Sequence, residues 1–288
     1  MCSAINSYVG VTHEQFNILA CIAVITLHHN GLAHSFQDNL AWKESLLAEC
    51  IFYWAVPVFF MISGANLLDY RKRYSTTEFF KKRIIRTVIP WLSWSIILLI
   101  IKNHTGQLKF ETGSFRDMIN VILNFQVSSI YWFFGSIFAC YLATPVFSLL
   151  TEHRSILWYT VIINFIFLSC LPIIGTWSGV TFTLAIPILS DSFIYYILGY
   201  LLKDGVSDKR KRIIIYCIGS LCVCFRYIYT YINSIKNEST DVSIKGYRTF
   251  HAVLFSVAVY IFLRQISIKS KKCYYLINNH LFTSDKES

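Results

Sequence analysis

Eight apolar stretches, each close to the length that crosses a bilayer, constrain this chain more than any other feature. They fall near 15–33, 46–68, 84–101, 131–150, 155–174, 182–202, 213–232 and 248–266. A helix rises 1.5 Å per residue, so about 30 Å of hydrocarbon takes roughly 20 residues. In lipid the backbone must satisfy its own hydrogen bonds, which a helix does within one segment. The expected fold is therefore all-α, a polytopic transmembrane bundle of about eight helices. Mean hydropathy is +0.50, with 55% hydrophobic and only 15% charged residues, values foreign to a water-soluble domain. The spans leave no room for a separate soluble domain. One transmembrane domain over 1–268 and a polar tail over 269–288 are expected.

The net charge of +10 is no sign of a nucleic-acid partner, because the cations cluster between apolar runs. Arg71, Lys72, Arg73, Lys81, Lys82 and Arg83 lie between the second and third runs. Lys203, Lys209, Arg210, Lys211 and Arg212 lie between the sixth and seventh. Arg154 marks the fourth connection, and Arg264, Lys269, Lys271 and Lys272 close the eighth run. The remaining connections are poorer in net positive charge: Lys43 alone in the first, no charge from Gly175 to Ile186, and Lys236 and Lys245 balanced by Glu238 and Asp241. Positive loops stay inside, so the even connections, the tail and both termini are expected in the cytoplasm. No basic region and cleavage site precede the first run, which reads as an uncleaved span. Cys21, Cys50, Cys140, Cys170, Cys217, Cys222 and Cys224 fall in or beside apolar runs without zinc or disulfide spacing, and read as small buried hydrophobes.

A polar side chain at membrane depth is costly, so each one needs a reason. Asn17 and His28 are eleven positions apart on the first run, which places them about 16 Å apart on nearly the same helix face. With the N-terminus inside, His28 sits toward the outer half, where it suits a site joining reactants from opposite sides. The plainer reading makes His28 and His29 interfacial residues that end a helix. Pro57 and Ser63-Gly64 on the second run are signs of a bent helix that another backbone approaches closely, at a cavity or in simple packing. Arg83 and Arg86, three apart before Pro90, are expected on one face, where guanidinium forks can grip an anionic nucleotide phosphate or merely flank a span. Arg226 and Asp191 lie within the seventh and sixth runs and are candidates to pair or to snorkel. His34 and Asp38 have a His-x-x-x-Asp spacing that occurs often by chance. No Gly-rich phosphate loop, metal-ligand cluster or Gly-x-Ser-x-Gly elbow is present, so no metal is expected and hydrolase and nucleotidase classes lose support.

Taken together, three stretches resemble the acyltransferase 3 family of integral membrane O-acyltransferases. They are Asn17-Ile18-Leu19-Ala20-Cys21-Ile22-Ala23-Val24-Ile25-Thr26-Leu27-His28, Val56-Pro57-Val58-Phe59-Phe60-Met61-Ile62-Ser63-Gly64, and Phe80-Lys81-Lys82-Arg83-Ile84-Ile85-Arg86-Thr87-Val88-Ile89-Pro90. Tyr131-Trp132-Phe133-Phe134, Tyr141-Leu142-Ala143-Thr144-Pro145 and Tyr196-Ile197-Leu198-Gly199-Tyr200 follow in the family's order. The resemblance implies transfer of an acyl group, usually acetyl, from acetyl-CoA to a hydroxyl of a surface polysaccharide or its lipid-linked precursor, in a bacterial inner membrane. It gives His28 the role of base, Arg83 and Arg86 the CoA phosphates, and membrane lipid as surroundings. The family's arginine eleven positions before the histidine is here Asn17, which keeps a donor toward the acyl-CoA but no charge. The family usually continues through a further pair of helices where this chain passes into its polar tail, so a shortened and impaired copy is an expectation too. Two other classes fit the same spans: a glycan or small-solute transporter drawing on Arg226 and Asp191, and a noncatalytic membrane partner.

Overall fold

The structure is a computed structural model that describes residues 17–107, 114–179 and 191–266. Among these the chain holds helices and no strand. Five helical stretches are long and apolar enough to cross a bilayer: Leu40–Lys72, Thr76–His104, Ser129–Glu152, Arg154–Ser178 and Lys209–Asn237. Three shorter apolar helices, Asn17–His29, Ser192–Leu201 and Phe250–Ile266, adjoin residues outside the described set. Each of the eight apolar runs overlaps one of these stretches where it lies among the described residues. Their outward faces are apolar as well. Trp94 is 60% exposed and Ile100 63%, a surface that water would not tolerate and lipid would. The protein is an all-α, multi-pass membrane bundle.

The helices are α1 (Asn17–His29), α2 (Leu40–Phe52), α3 (Ala55–Leu67), α4 (Thr76–Arg83), α5 (Ile89–His104), α6 (Phe115–Leu123), α7 (Trp132–Phe147), α8 (Arg154–Asn164), α9 (Leu171–Ser178), α10 (Asp191–Leu201), α11 (Lys209–Asn237) and α12 (Phe250–Ile266). Prolines shape three of the long stretches. Pro57 has no N–H for the carbonyl of Tyr53, and the helix is interrupted there, between α2 and α3. Pro90 and Pro172 each follow a wider π turn, Ile84–Val88 and Phe165–Cys170. Widening the turn relieves the clash of the ring with the carbonyl four residues back. α2 starts at Leu40, six residues before the apolar run, because Asn39 caps it and Trp42 is buried. α6 was not marked by an apolar run; a capping box between Ser114 and Asp117 starts it.

The chain forms two compact units, one from residues 1–65 and 155–288 and one from 66–154. In the first, Trp42, Leu46 and Cys50 of α2 pack on Tyr231, Tyr227 and Val223 of α11 in opposite order, so the two helices run antiparallel. α10 is buried from Phe193 to Leu198 and again at Tyr200 and Leu201, the mark of a helix surrounded by others. Gly64 of α3 meets the backbone of Tyr196, and Gly199 meets that of Met61. The close approach expected at Ser63-Gly64 is thus present, with α10 as its partner. Tyr260 of α12 donates to the Gly199 carbonyl at 3.1 Å, and Gly219 of α11 makes room for Ala258.

The second unit is built on Trp91, Leu99, Val121, Val127 and Tyr131 with a ring of phenylalanines. Phe125 ends α6 in the left-handed region (φ 58°), a conformation that disfavours a bulky residue. Its ring compensates by packing on Gly135, Trp91 and Phe138.

Three cysteines depart from expectation. Cys50, Cys140 and Cys222 are buried, but Cys21, Cys217 and Cys224 are exposed. A bundle whose solvent is hydrocarbon gives a small apolar side chain no drive inward.

Candidate functional site

The first helix turns Ala20 and Ala23 inward, because small side chains let neighbouring helices approach. Asn17 and His28 share another face, and both are exposed. The ring of His29 donates from Nδ1 to the Ile25 carbonyl at 2.9 Å, capping its own helix. His28 is the neighbour left facing outward.

Arg83 and Arg86 belong to the second unit, where they do not share one environment. The π turn that opens at Ile84 rotates less per residue than an α turn, so Arg86 stops short of the face that an α-helical count assigns it. Arg86 is exposed. Arg83 is half-buried with its guanidinium 5.7 Å from the Tyr141 ring, and its Nε is buried without a hydrogen-bond partner. Arg71 lies close to the same helix end of α7: its Nε donates to Ser148 Oγ at 2.7 Å and its Nη2 to the Pro145 carbonyl at 3.2 Å. A buried donor of a charged group lacking an acceptor is suited to an oxyanion.

The interior of the first unit carries a further cluster. Arg226 of α11 is 5% exposed and Glu49 of α2 7%, with Nη2 and Oε1 3.7 Å apart. The guanidinium also lies 3.6 Å over the ring of Tyr53, which stacks on Tyr247 at 4.5 Å. Of the alternatives weighed for Arg226, pairing with a carboxylate is the one present. Its carboxylate is Glu49, which lies on the face of α2 that packs on α11, and the side chain of Asp191 lies outside the described residues. His251, at the start of α12, is buried and its Nε2 is 3.1 Å from Thr249 Oγ1. In the loop before α12, Lys245 Nζ is 3.2 Å from His34 Nδ1. Burial pulls the Lys245 ammonium below the ordinary lysine value, and burial pushes the Tyr247 hydroxyl up.

Glu49 and His251 were missed from the sequence although each stands in or beside an apolar run, the signal that singled out Arg226 and His28. His34 lies against Lys245, and Asp38 bonds instead to Lys43 at 2.9 Å, so the His-x-x-x-Asp pair is not a working unit. Among the described residues no group of three His, Cys, Asp or Glu is placed to hold a metal.

The all-helical architecture with its long apolar helices defines a multi-pass membrane protein. Residues 16–272 match the family described as the acyltransferase domain, and since that is most of the chain, the protein belongs to the acyltransferase 3 family. Nodulation protein NolL of Mesorhizobium japonicum (strain LMG 29417 / CECT 9101 / MAFF 303099) is a relative, 24% identical over 235 residues. That alignment takes in 78% of this chain, and the chain spans 59% of the length of NolL. No solved structure matches.

Proposed function

We propose that the protein is a membrane O-acyltransferase of a bacterial inner membrane, moving an acyl group, acetyl by preference, from acyl-CoA to a hydroxyl of a cell-surface polysaccharide or its lipid-linked precursor. The observation that carries this reading is the family match over residues 16–272. The chemistry needs one base and one place for the donor. The imidazole of His28 takes the proton of the acceptor hydroxyl as its oxygen attacks the thioester carbonyl. The tetrahedral intermediate collapses to an ester, and the CoA thiolate leaves and takes up a proton. Arg83 and Arg86 hold CoA phosphates from the cytoplasmic side, and Asn17 offers an amide donor where the family has an arginine. The orphan Nε of Arg83 supports its part. The transport reading draws on Arg226, whose charge is already closed on Glu49, and that leaves it less support.

The test is His28→Ala in membranes of cells making the full chain, with base-labile ester on isolated glycan as the readout. General-base catalysis is worth about 10²–10⁴ in rate, so ester should fall at least a hundredfold with the protein still in the membrane. Ester content unchanged by the substitution removes His28 from the mechanism, and glycan moved across the membrane without consumption of acetyl-CoA favours transport.

A further inference from the structure

Arg226 does more than close on Glu49, because it borders a small void between α2, α11 and two loops. The void, about 20 Å³, is lined by His34, Glu49, Thr240, Asp241 and Lys245 as well as Arg226. The acceptors here are largely spoken for. Asp241 takes hydrogen bonds from the Ser243 backbone N–H at 3.1 Å and the Ser243 hydroxyl at 2.9 Å, and Glu49 faces Arg226. Two donors are left over: Arg226 Nη1 and Thr240 Oγ1 are buried with no hydrogen-bond partner. Buried donors are expensive to leave unmet, so the pair calls for an oxygen in the void.

Charge and size decide which oxygen. Arg226 and Lys245 are balanced by Glu49 and Asp241, so an entering phosphate or carboxylate would bring a negative charge with no counterpart. A void of this size holds one water-sized group. A hydroxyl satisfies both conditions: its oxygen accepts from Arg226 and Thr240, and its proton goes to a carboxylate of the same void.

We propose that this void is a subsite for a neutral sugar, taking one hydroxyl of the acceptor between Arg226 and Thr240. The proposal rests on the reading of the protein as an acyltransferase acting on a sugar. His34 follows His28 by six residues, so the subsite hangs on the same connection as the proposed base. The two loops that form it, after α1 and before α12, are those that the charge pattern assigns to the outer side, from which a surface glycan approaches.

The experiment is equilibrium binding of the methyl glycosides of glucose, galactose, mannose and N-acetylglucosamine to the purified full chain in detergent, without acyl-CoA. At least one should bind saturably. Thr240→Val should weaken it about tenfold, the loss of one hydrogen bond that leaves its partner buried, Lys245→Met should weaken it less, and inorganic phosphate should not compete. Arg226 is left intact, since its removal strands Glu49. Four results overturn the subsite: no glycoside bound by a protein that keeps its helical circular dichroism, binding indifferent to Thr240→Val, displacement by phosphate, or an ordered water that remains in the void of a glycoside-soaked crystal. Binding through Thr240 without ester formation keeps the subsite and sinks the acyl transfer. Ester formation with acceptor binding blind to Thr240→Val does the reverse.

Discussion

Arg226 of the first compact unit and Arg83 of the second each sit against a tyrosine ring, and they are finished differently. Arg226 lies 3.6 Å over Tyr53 and has Glu49 beside it; Arg83 lies 5.7 Å from Tyr141 with its Nε unanswered. A guanidinium shut in with a carboxylate is part of the frame, because removing either partner leaves a stranded charge. Arg83 is only half-buried, and its Nε is a buried donor without a hydrogen-bond partner, a group that a bound anion would satisfy. Arg226 thus combines an internal ion pair with one donor left for the proposed sugar subsite, whereas Arg83 is the residue proposed to meet the acyl donor.

The contrast breaks if the two arginines prove interchangeable. Glu49→Ala should cost about 3–5 kcal/mol, seen as early thermal unfolding in detergent, and the double change Glu49→Leu with Arg226→Met should recover most of it. Arg83→Met should cost less than about 1 kcal/mol, yet raise the KM for acetyl-CoA about tenfold or more, as expected for loss of a hydrogen bond from a charged group. Equal destabilisation by the two substitutions would erase the distinction. Asn17→Arg adds an unpaired cation at the family's position. If Asn17 meets the donor, turnover should rise a few fold, on the order of one exposed charge contact, with stability unchanged. The smallest effect is in pH. Folding lowers the affinity of Lys245 for its proton, so the unfolded chain binds more protons below 10.5. Stability should then climb as pH rises toward that value, and Lys245→Met should flatten the climb.

The features legible beforehand were those that depend on one segment at a time. The apolar helices follow from run length, and Pro57 marked a break that the structure shows between α2 and α3. Gly64 advertised a close neighbour but could not name Tyr196, because a small residue records only that something comes near. Arg226 was recognised as a candidate to pair, with Asp191 named and Glu49 overlooked. Asp191 stands in the preceding span, whereas Glu49 comes from a span far earlier, and sequence distance says nothing about which helices touch. Arg83 and Arg86 were placed on one face by an α-helical count, and the π turn changed the count. α6 escaped notice because a short amphipathic helix has no long apolar run.

The crossing of α3 and α10 fixes more than proximity. Each helix offers a glycine to the other's main chain, at two points about one turn apart. Sliding either helix along its axis would bring a side chain to a gap only hydrogen fills, so their register has a single setting, like meshed teeth. Any flexing of this unit must then carry α3 and α10 together and be taken up at the broken turn ahead of Pro57.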